Sequence, residues 1–330
     1  MHIPDGFLDG KTVATTAALS VVGVGLALRQ VRRELPARRV PLLGLGAAFL
    51  FAAQMLNFPV AGGTSGHLLG GVLVAALLGP AAGVVVLTTV LIVQCFLFAD
   101  GGVSALGANI FNMALLGTVG GWAVVRAVRG WLPGVRGQVA AVGFAGWCSM
   151  VLASLGCAGQ LAWSGTVAWS VGFPAMAGIH MLIGLGEGLI SALVFLAIVR
   201  ARPDLVSGDC APDFAGRRGN LVALGLVASL GLAMFVAPFA SPWPDGLEAV
   251  AARLGFEERA RQPLLPVPIP DYEVPGVRSP VVAVALAGAV GTLVVFGLAL
   301  LLSRALVPTP ARSEPSAAPA CGNETDKSSL

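Results

Sequence analysis

Histidine is scarce in this chain, three in 330 residues, and one of the three stands at position 2 beside the terminal amine. A free α-amine has a pKa of roughly 7.7–8.0, so a metal ion can displace its proton near neutral pH. Methionine removal generally requires a small second residue, so Met1 is expected to stay in front of His2. The amine of Met1 and the backbone nitrogen of His2 then close a five-membered ring on one ion. Nδ1 of His2 closes a six-membered ring. Both residues thus supply nitrogens in one plane, with a fourth equatorial position open. Planar nitrogen sets suit Ni(II) or Cu(II), whereas Zn(II) prefers a tetrahedron.

The other histidines are His67 and His180. His67 lies in "VAGGTSGHLLGG", a glycine-rich stretch in which backbone can approach backbone closely. It is the natural fourth ligand. Residue type alone leaves a packing role open for each histidine, and that is the commoner fate of a membrane histidine. A ligating imidazole usually donates its second N–H to a nearby acceptor; Gln54, Asn57, Thr64 and Ser65 are the candidates. His180 and Glu187 are seven residues apart, on one face of a helix, and stay outside the expected ligand set. An ionisable group at membrane depth costs roughly 2.5–3.5 kcal/mol on insertion scales, so Glu187 should face the bundle and be paired. The five cysteines form no CxxC pair, which argues against a thiolate zinc site. No catalytic residue set is expected. "DGFLDGKT" nearly matches a phosphate-binding loop but has Asp5 where the first glycine belongs and no preceding strand.

The elements that hold these residues are set by composition. The chain is 56% hydrophobic and 11% charged, with a mean hydropathy of +0.85; a soluble domain carries about 25% charged residues. The expected fold is all-α, a polytopic bundle of about nine membrane-crossing helices. Apolar runs fall near 12–28, 40–60, 66–79, 81–99, 104–125, 138–162, 170–199, 219–240 and 280–303. The third and fourth come from dividing one long run at Gly79–Pro80, since a single helix would overshoot the ~30 Å hydrocarbon layer. Arginine clusters follow the first, fifth, seventh and ninth runs. Basic loops stay in the cytoplasm, which places the N-terminus outside. Residues 1–202 read as a seven-span module, 203–218 as a polar cytoplasmic linker, and 219–303 as two spans around an outer loop. The tail 304–330 reads as disordered.

"MHIPDGFL" at the start and "QMLNFPVAGGTSGHLLGG" further on, with "GANIFNMALLG" and "HMLIGLGEGLI", closely resemble the CbiM/NikM family. The region 219–303, with "PDGLE", resembles the small CbiN/NikN partner, here fused to the first unit. The resemblance implies the substrate-binding membrane subunit of an energy-coupling-factor importer for Ni(II) or Co(II), the metal being the cargo. It implies ligation by the amine of Met1, the backbone and side-chain nitrogens of His2, and His67. It also implies a transmembrane coupling protein and two cytoplasmic ATPases as partners, so this chain itself is expected to be a transporter subunit and not an enzyme. Lipid surrounds it, nucleic acid plays no part, and the compartment is a bacterial or archaeal cytoplasmic membrane. Two rivals remain: an intramembrane metal-dependent enzyme, and a metal sensor that never transports. The region 219–303 has no histidine or cysteine. It is expected to touch the outer face of the first unit near His67 and to assist metal entry without binding the ion tightly.

Overall fold

A computed structural model of the chain describes residues 1–131, 133–203, 205 and 214–307. Most of the linker at 203–218, Cys210, Cys321, Arg312 and the tail from 308 onward lie outside the described residues. The described chain is almost entirely helical. Its long helices are α1 (Gly10–Glu34), α4 (Pro80–Phe98), α5 (Leu106–Arg129), α6 (Gly134–Trp163), α7 (Trp169–Ala201), α8 (Phe214–Gly231) and α10 (Pro280–Leu306). α8 runs on through a π turn, Leu232–Val236, and a 3-10 turn, Ala237–Phe239. Among the described residues these are the seven helices long and apolar enough to cross a membrane.

The expected second and third spans take another form. α2 (Val40–Gln54) has 15 residues and α3 (Gly71–Leu78) has eight. At 1.5 Å per residue neither crosses ~30 Å by itself. Between them lies a two-stranded antiparallel hairpin, β1 (Phe58–Val60) and β2 (Thr64–Gly66), followed by non-helical residues 67–70. A hydropathy window counts apolar residues alike whether they meet lipid or other protein, and 66–79 is buried from Gly66 to Ala75. The break at Gly79–Pro80 is where it was expected. Gly79 has φ 94°, a left-handed value that suits glycine, and Pro80 opens α4.

Packing sets the direction of the elements. α2 and α10 run antiparallel: Gly44 meets Phe296 and Leu300, and Phe51 meets Gly291. The Arg38–Arg39 end of α2 is therefore near the Arg304 end of α10. α3 packs its Val72 and Leu73 with Val125, Val142 and Val199, close to Arg126 and Arg200. α6 and α7 touch through Gly143, Gly146 and Gly188, the small-residue contact that membrane helices use in place of a hydrophobic drive. α5 is π-helical over Ile110–Gly120. Its Asn112 exchanges two 2.8 Å hydrogen bonds with Gln160 of α6, so each nitrogen and oxygen of this buried amide pair has a partner. On the outside of the bundle Val21, Val22 and Leu26 of α1 are exposed among the described residues, as on a lipid-facing helix.

The candidate metal centre

The first nine residues form a non-helical segment inserted among the helix ends, with a turn at Asp5–Gly6. Met1, Ile3, Asp5 and Phe7 are buried and the residues between them are less so. The segment is fixed mainly through backbone groups. The N–H of Ile3 donates to Oδ1 of Asn109 at 2.8 Å, and Nδ2 of Asn109 donates back to the Ile3 carbonyl at 3.1 Å. The Asp5 carboxylate accepts from the N–H groups of Val103 and Ser104 and from the Ser104 hydroxyl. Asp9 then caps α1 by accepting from Thr12 N–H. The segment's end is thereby held at one place in the bundle.

That place is beside His67. The Met1 nitrogen is 3.1 Å from Nε2 of His67. The Nδ1 of His67 is 3.2 Å from the Leu68 carbonyl. A carbonyl only accepts, so Nδ1 carries the proton and Nε2 offers its lone pair toward the amine. The His2 ring stacks obliquely on that of His67, with centroids 5.4 Å apart. Both ring nitrogens of His2 are buried without a hydrogen-bond partner; Nδ1 lies 3.3 Å from Oδ1 of Asp100 without hydrogen-bond geometry. A buried polar atom left unpaired costs about 1–3 kcal/mol, and a cation bound there removes that cost. Among the described residues no group of three or more His, Cys, Asp or Glu side chains is placed to hold a metal ion. The donors that do converge are the amine and two imidazoles, with the backbone nitrogen of His2 between them.

Asp245 completes the surroundings of the amine. Its Oδ2 pairs with the Met1 ammonium, while Oδ1 caps α9 (Gly246–Leu254) by accepting from Leu247 and Glu248. Burial alone lowers the pKa of the Met1 amine, but the adjoining Asp245 carboxylate outweighs it and holds the amine above its ordinary value. Asp245 itself is held below the carboxylate range: burial opposes this, and the ammonium prevails. Burial, the Met1 ammonium and His2 together push His67 down to about 3, and burial lowers His2 as well. Both imidazoles are thus neutral at neutral pH, the form that binds metal.

The loop carrying His67 is clamped from two sides. On one side Ser65 N–H donates to the Pro244 carbonyl at 2.8 Å and the Ser65 hydroxyl to the Trp243 carbonyl at 2.7 Å. The segment around Trp243 and Pro244 therefore lies on the residues beside His67. On the other side Glu187 of α7, fully buried, accepts from Leu69 N–H at 2.5 Å and Gly70 N–H at 2.9 Å. None of Gln54, Asn57, Thr64 and Ser65 takes the second N–H of His67. That role goes to the Leu68 carbonyl. Gln54 instead donates to the Leu69 carbonyl at 3.0 Å, Asn57 gives its carbonyl to Ser241 N–H, and the Thr64 hydroxyl is buried without a partner. Residue spacing did not mark Asn109, Asp100 or Asp245. Asn109 and Asp245 do fall within the motifs "GANIFNM" and "PDGLE", the available signal.

Comparison with known proteins places the chain in a family. Residues 2–205 match the family CbiM, described as the cobalt uptake substrate-specific transmembrane region, and residues 219–307 match the PDGLE domain. A putative fused nickel transport protein NikMN of Archaeoglobus fulgidus is 38% identical over 92% of this chain and 98% of its own length. A fused nickel transport protein NikMN of Rhodobacter capsulatus is 34% identical over 70% of this chain and 72% of its own. The crystal structure of a truncated transition metal transporter superposes with a TM-score of 0.56 at 32% identity, over 61% of this chain and 99% of that one. With a family match spanning the N-terminal segment from His2, the His67 loop and all helices to α7, the chain belongs to the CbiM family and carries a PDGLE domain on the same polypeptide.

Proposed function

We propose that this chain takes up Ni(II) or Co(II) as the substrate-specific component of an energy-coupling-factor importer. The cargo is held by four nitrogens: the amine and His2 backbone nitrogen of the N-terminal pair, Nδ1 of His2, and Nε2 of His67. The observation that carries this reading is the 3.1 Å approach of the Met1 nitrogen to Nε2 of His67, next to an imidazole whose two buried nitrogens have no partner. Four nitrogens near one plane favour Ni(II) over Zn(II). The relatives' names, nickel transport proteins, and the cobalt-uptake family point the same way. They also favour a transporter over a metal-dependent enzyme. The chain has two working units, 1–202 and 219–303. ATP hydrolysis falls to two cytoplasmic ATPases acting through a transmembrane coupling protein.

The arginine-bearing helix ends face the cytoplasm and the N-terminus faces outside. α2 and α3 count as short crossings completed by the hairpin and residues 67–70, which gives nine in all. The basic ends of α2, α5, α7 and α10 support this orientation. The direct test moves the amine. One residue added before Met1 should abolish binding of Ni(II) and Co(II) in calorimetric titration while the helices persist by circular dichroism. Unchanged affinity in a protein whose extended N-terminus is verified by mass spectrometry would refute the ligand set.

A further inference from the structure

His180 has the same orientation as a ligating histidine, yet it is not in the ligand set. Its Nδ1 lies 2.8 Å from the Met176 carbonyl one turn earlier on α7. Nδ1 therefore carries the proton, and Nε2 presents a bare lone pair. That nitrogen is buried and has no hydrogen-bond partner. A backbone carbonyl taking one ring N–H so that the other nitrogen can bind is how proteins orient metal-binding imidazoles. His67 is held the same way by Leu68. His180 lines a small cavity together with Met1, His67, Met150, Asp245 and Gly246. The cavity thus holds a neutral imidazole, a thioether and a carboxylate, a donor set for a borderline-soft divalent cation, and it borders directly on the amine and His67.

The position along α7 is informative. Glu187 grips Leu69 and Gly70, Ile183 packs on Gly66, and His180 faces Gly246 of the second unit. His180 is therefore one turn of α7 farther than Ile183 from the Arg200 end, where α7 meets the PDGLE region. Gly246 keeps the nitrogen open: a Cβ there would sit 2.7 Å from Nε2.

We infer that His180 and Asp245 form an entry post, a transient binding place where an incoming Ni(II) or Co(II) ion pauses before it reaches Met1, His2 and His67. The inference rests on the cargo-site reading above. Asp245 attracts the cation, and Nε2 of His180, with the Met150 sulfur, binds it softly. The ion then moves to the amine and His67 on the same cavity wall, and Asp245 exchanges its partner from ammonium to metal. The post explains why a unit without histidine or cysteine sits on the site: it supplies the carboxylate and closes the cavity.

A post on the route changes rates without changing the end state. The test uses the full chain in detergent, with NiCl2 as probe and tryptophan quenching as readout. His180→Ala should slow loading about tenfold, the usual scale for loss of one metal-orienting group. Release into a chelator should slow by the same factor, so Kd stays within about threefold by microscopic reversibility. His67→Ala should instead raise Kd strongly. In an Asp245→Asn background, which keeps the α9 cap, His180→Ala should have no further effect on loading, since both changes disable one post. Unchanged loading and release in His180→Ala, with the His67→Ala defect present, would overturn the post and leave the cargo site standing. A rise in Kd equal to that of His67→Ala would overturn it too, because His180 would then be a ligand of the final site. Normal Kd in His67→Ala would instead refute the cargo-site reading itself.

Discussion

At the scale of single residues, the site joins groups whose protonation opposes metal binding to groups already prepared for it. His67, pushed down to about 3, is neutral throughout the ordinary pH range and yields no proton when metal arrives. The Met1 amine, held above its ordinary value by Asp245, is an ammonium at pH 7 and must lose its proton. The backbone nitrogen of His2 must lose one as well. Affinity should therefore rise with pH and fall on acidification, by about a hundredfold per pH unit for two protons between pH 8 and 5. Calorimetry in buffers of different ionisation enthalpy counts those protons directly. Release of one proton per ion or fewer would remove the amine or the amide from the ligand set. This part of the site was legible early, because Met1 and His2 are joined covalently and their chelate rings follow from bond lengths. The partner of the amine was not. Asp245 is 244 positions away, and nothing in its neighbours shows which cation it meets.

At the scale of elements, two short pieces of irregular chain do the positioning, the N-terminal segment and residues 67–70. Neither has regular secondary structure to hold it, so each depends on side chains from other elements. Glu187 gives the clearest test. Its two carboxylate oxygens receive the N–H groups of Leu69 and Gly70, directly after His67 and Leu68. Glu187→Gln keeps the shape but turns an NH2 toward one of those donors. Leaving one buried N–H unpaired costs about 1–3 kcal/mol. Part of that should appear as a lower melting temperature and part as weaker Ni(II) binding, about tenfold, with helix content unchanged. A melting temperature and Kd equal to the parent's would show that the clamp does not position His67. The sequence implied that Glu187 faces the bundle, since a carboxylate at that depth needs partners. It did not imply which partners, because they are backbone groups of a loop that hydropathy read as part of a helix. The same confusion merged the hairpin, residues 67–70 and α3 into apolar spans.

At the scale of the whole molecule, the PDGLE region lies on the candidate metal centre. It touches Ser65 on the His67 loop, the Met1 amine through Asp245 and Asp5 through Arg261 N–H. Ending the chain at residue 205 removes all three contacts but none of the four nitrogens proposed as ligands. The truncated protein should bind Ni(II) with a Kd within about tenfold of the full chain, because no ligand is lost. It should load more slowly, since Asp245 is gone. Equilibrium titration and stopped-flow quenching on the same preparation separate the two effects. A folded, truncated chain that binds no metal would make the second unit part of the final site. The sequence alone settled the membrane class, the break at Gly79–Pro80, the arginine-bearing ends, and the candidate donors His2 and His67. Each of these is written in bonds between neighbours or in the solvent preference of a short window. Only the tertiary structure decided that Asp245 faces the amine, that Leu68 and not a nearby side chain orients His67, and that His180 opens onto the same cavity. The first and the last of these join residues far apart in the chain, and all three exist only once the helices have packed and fixed which buried polar groups meet.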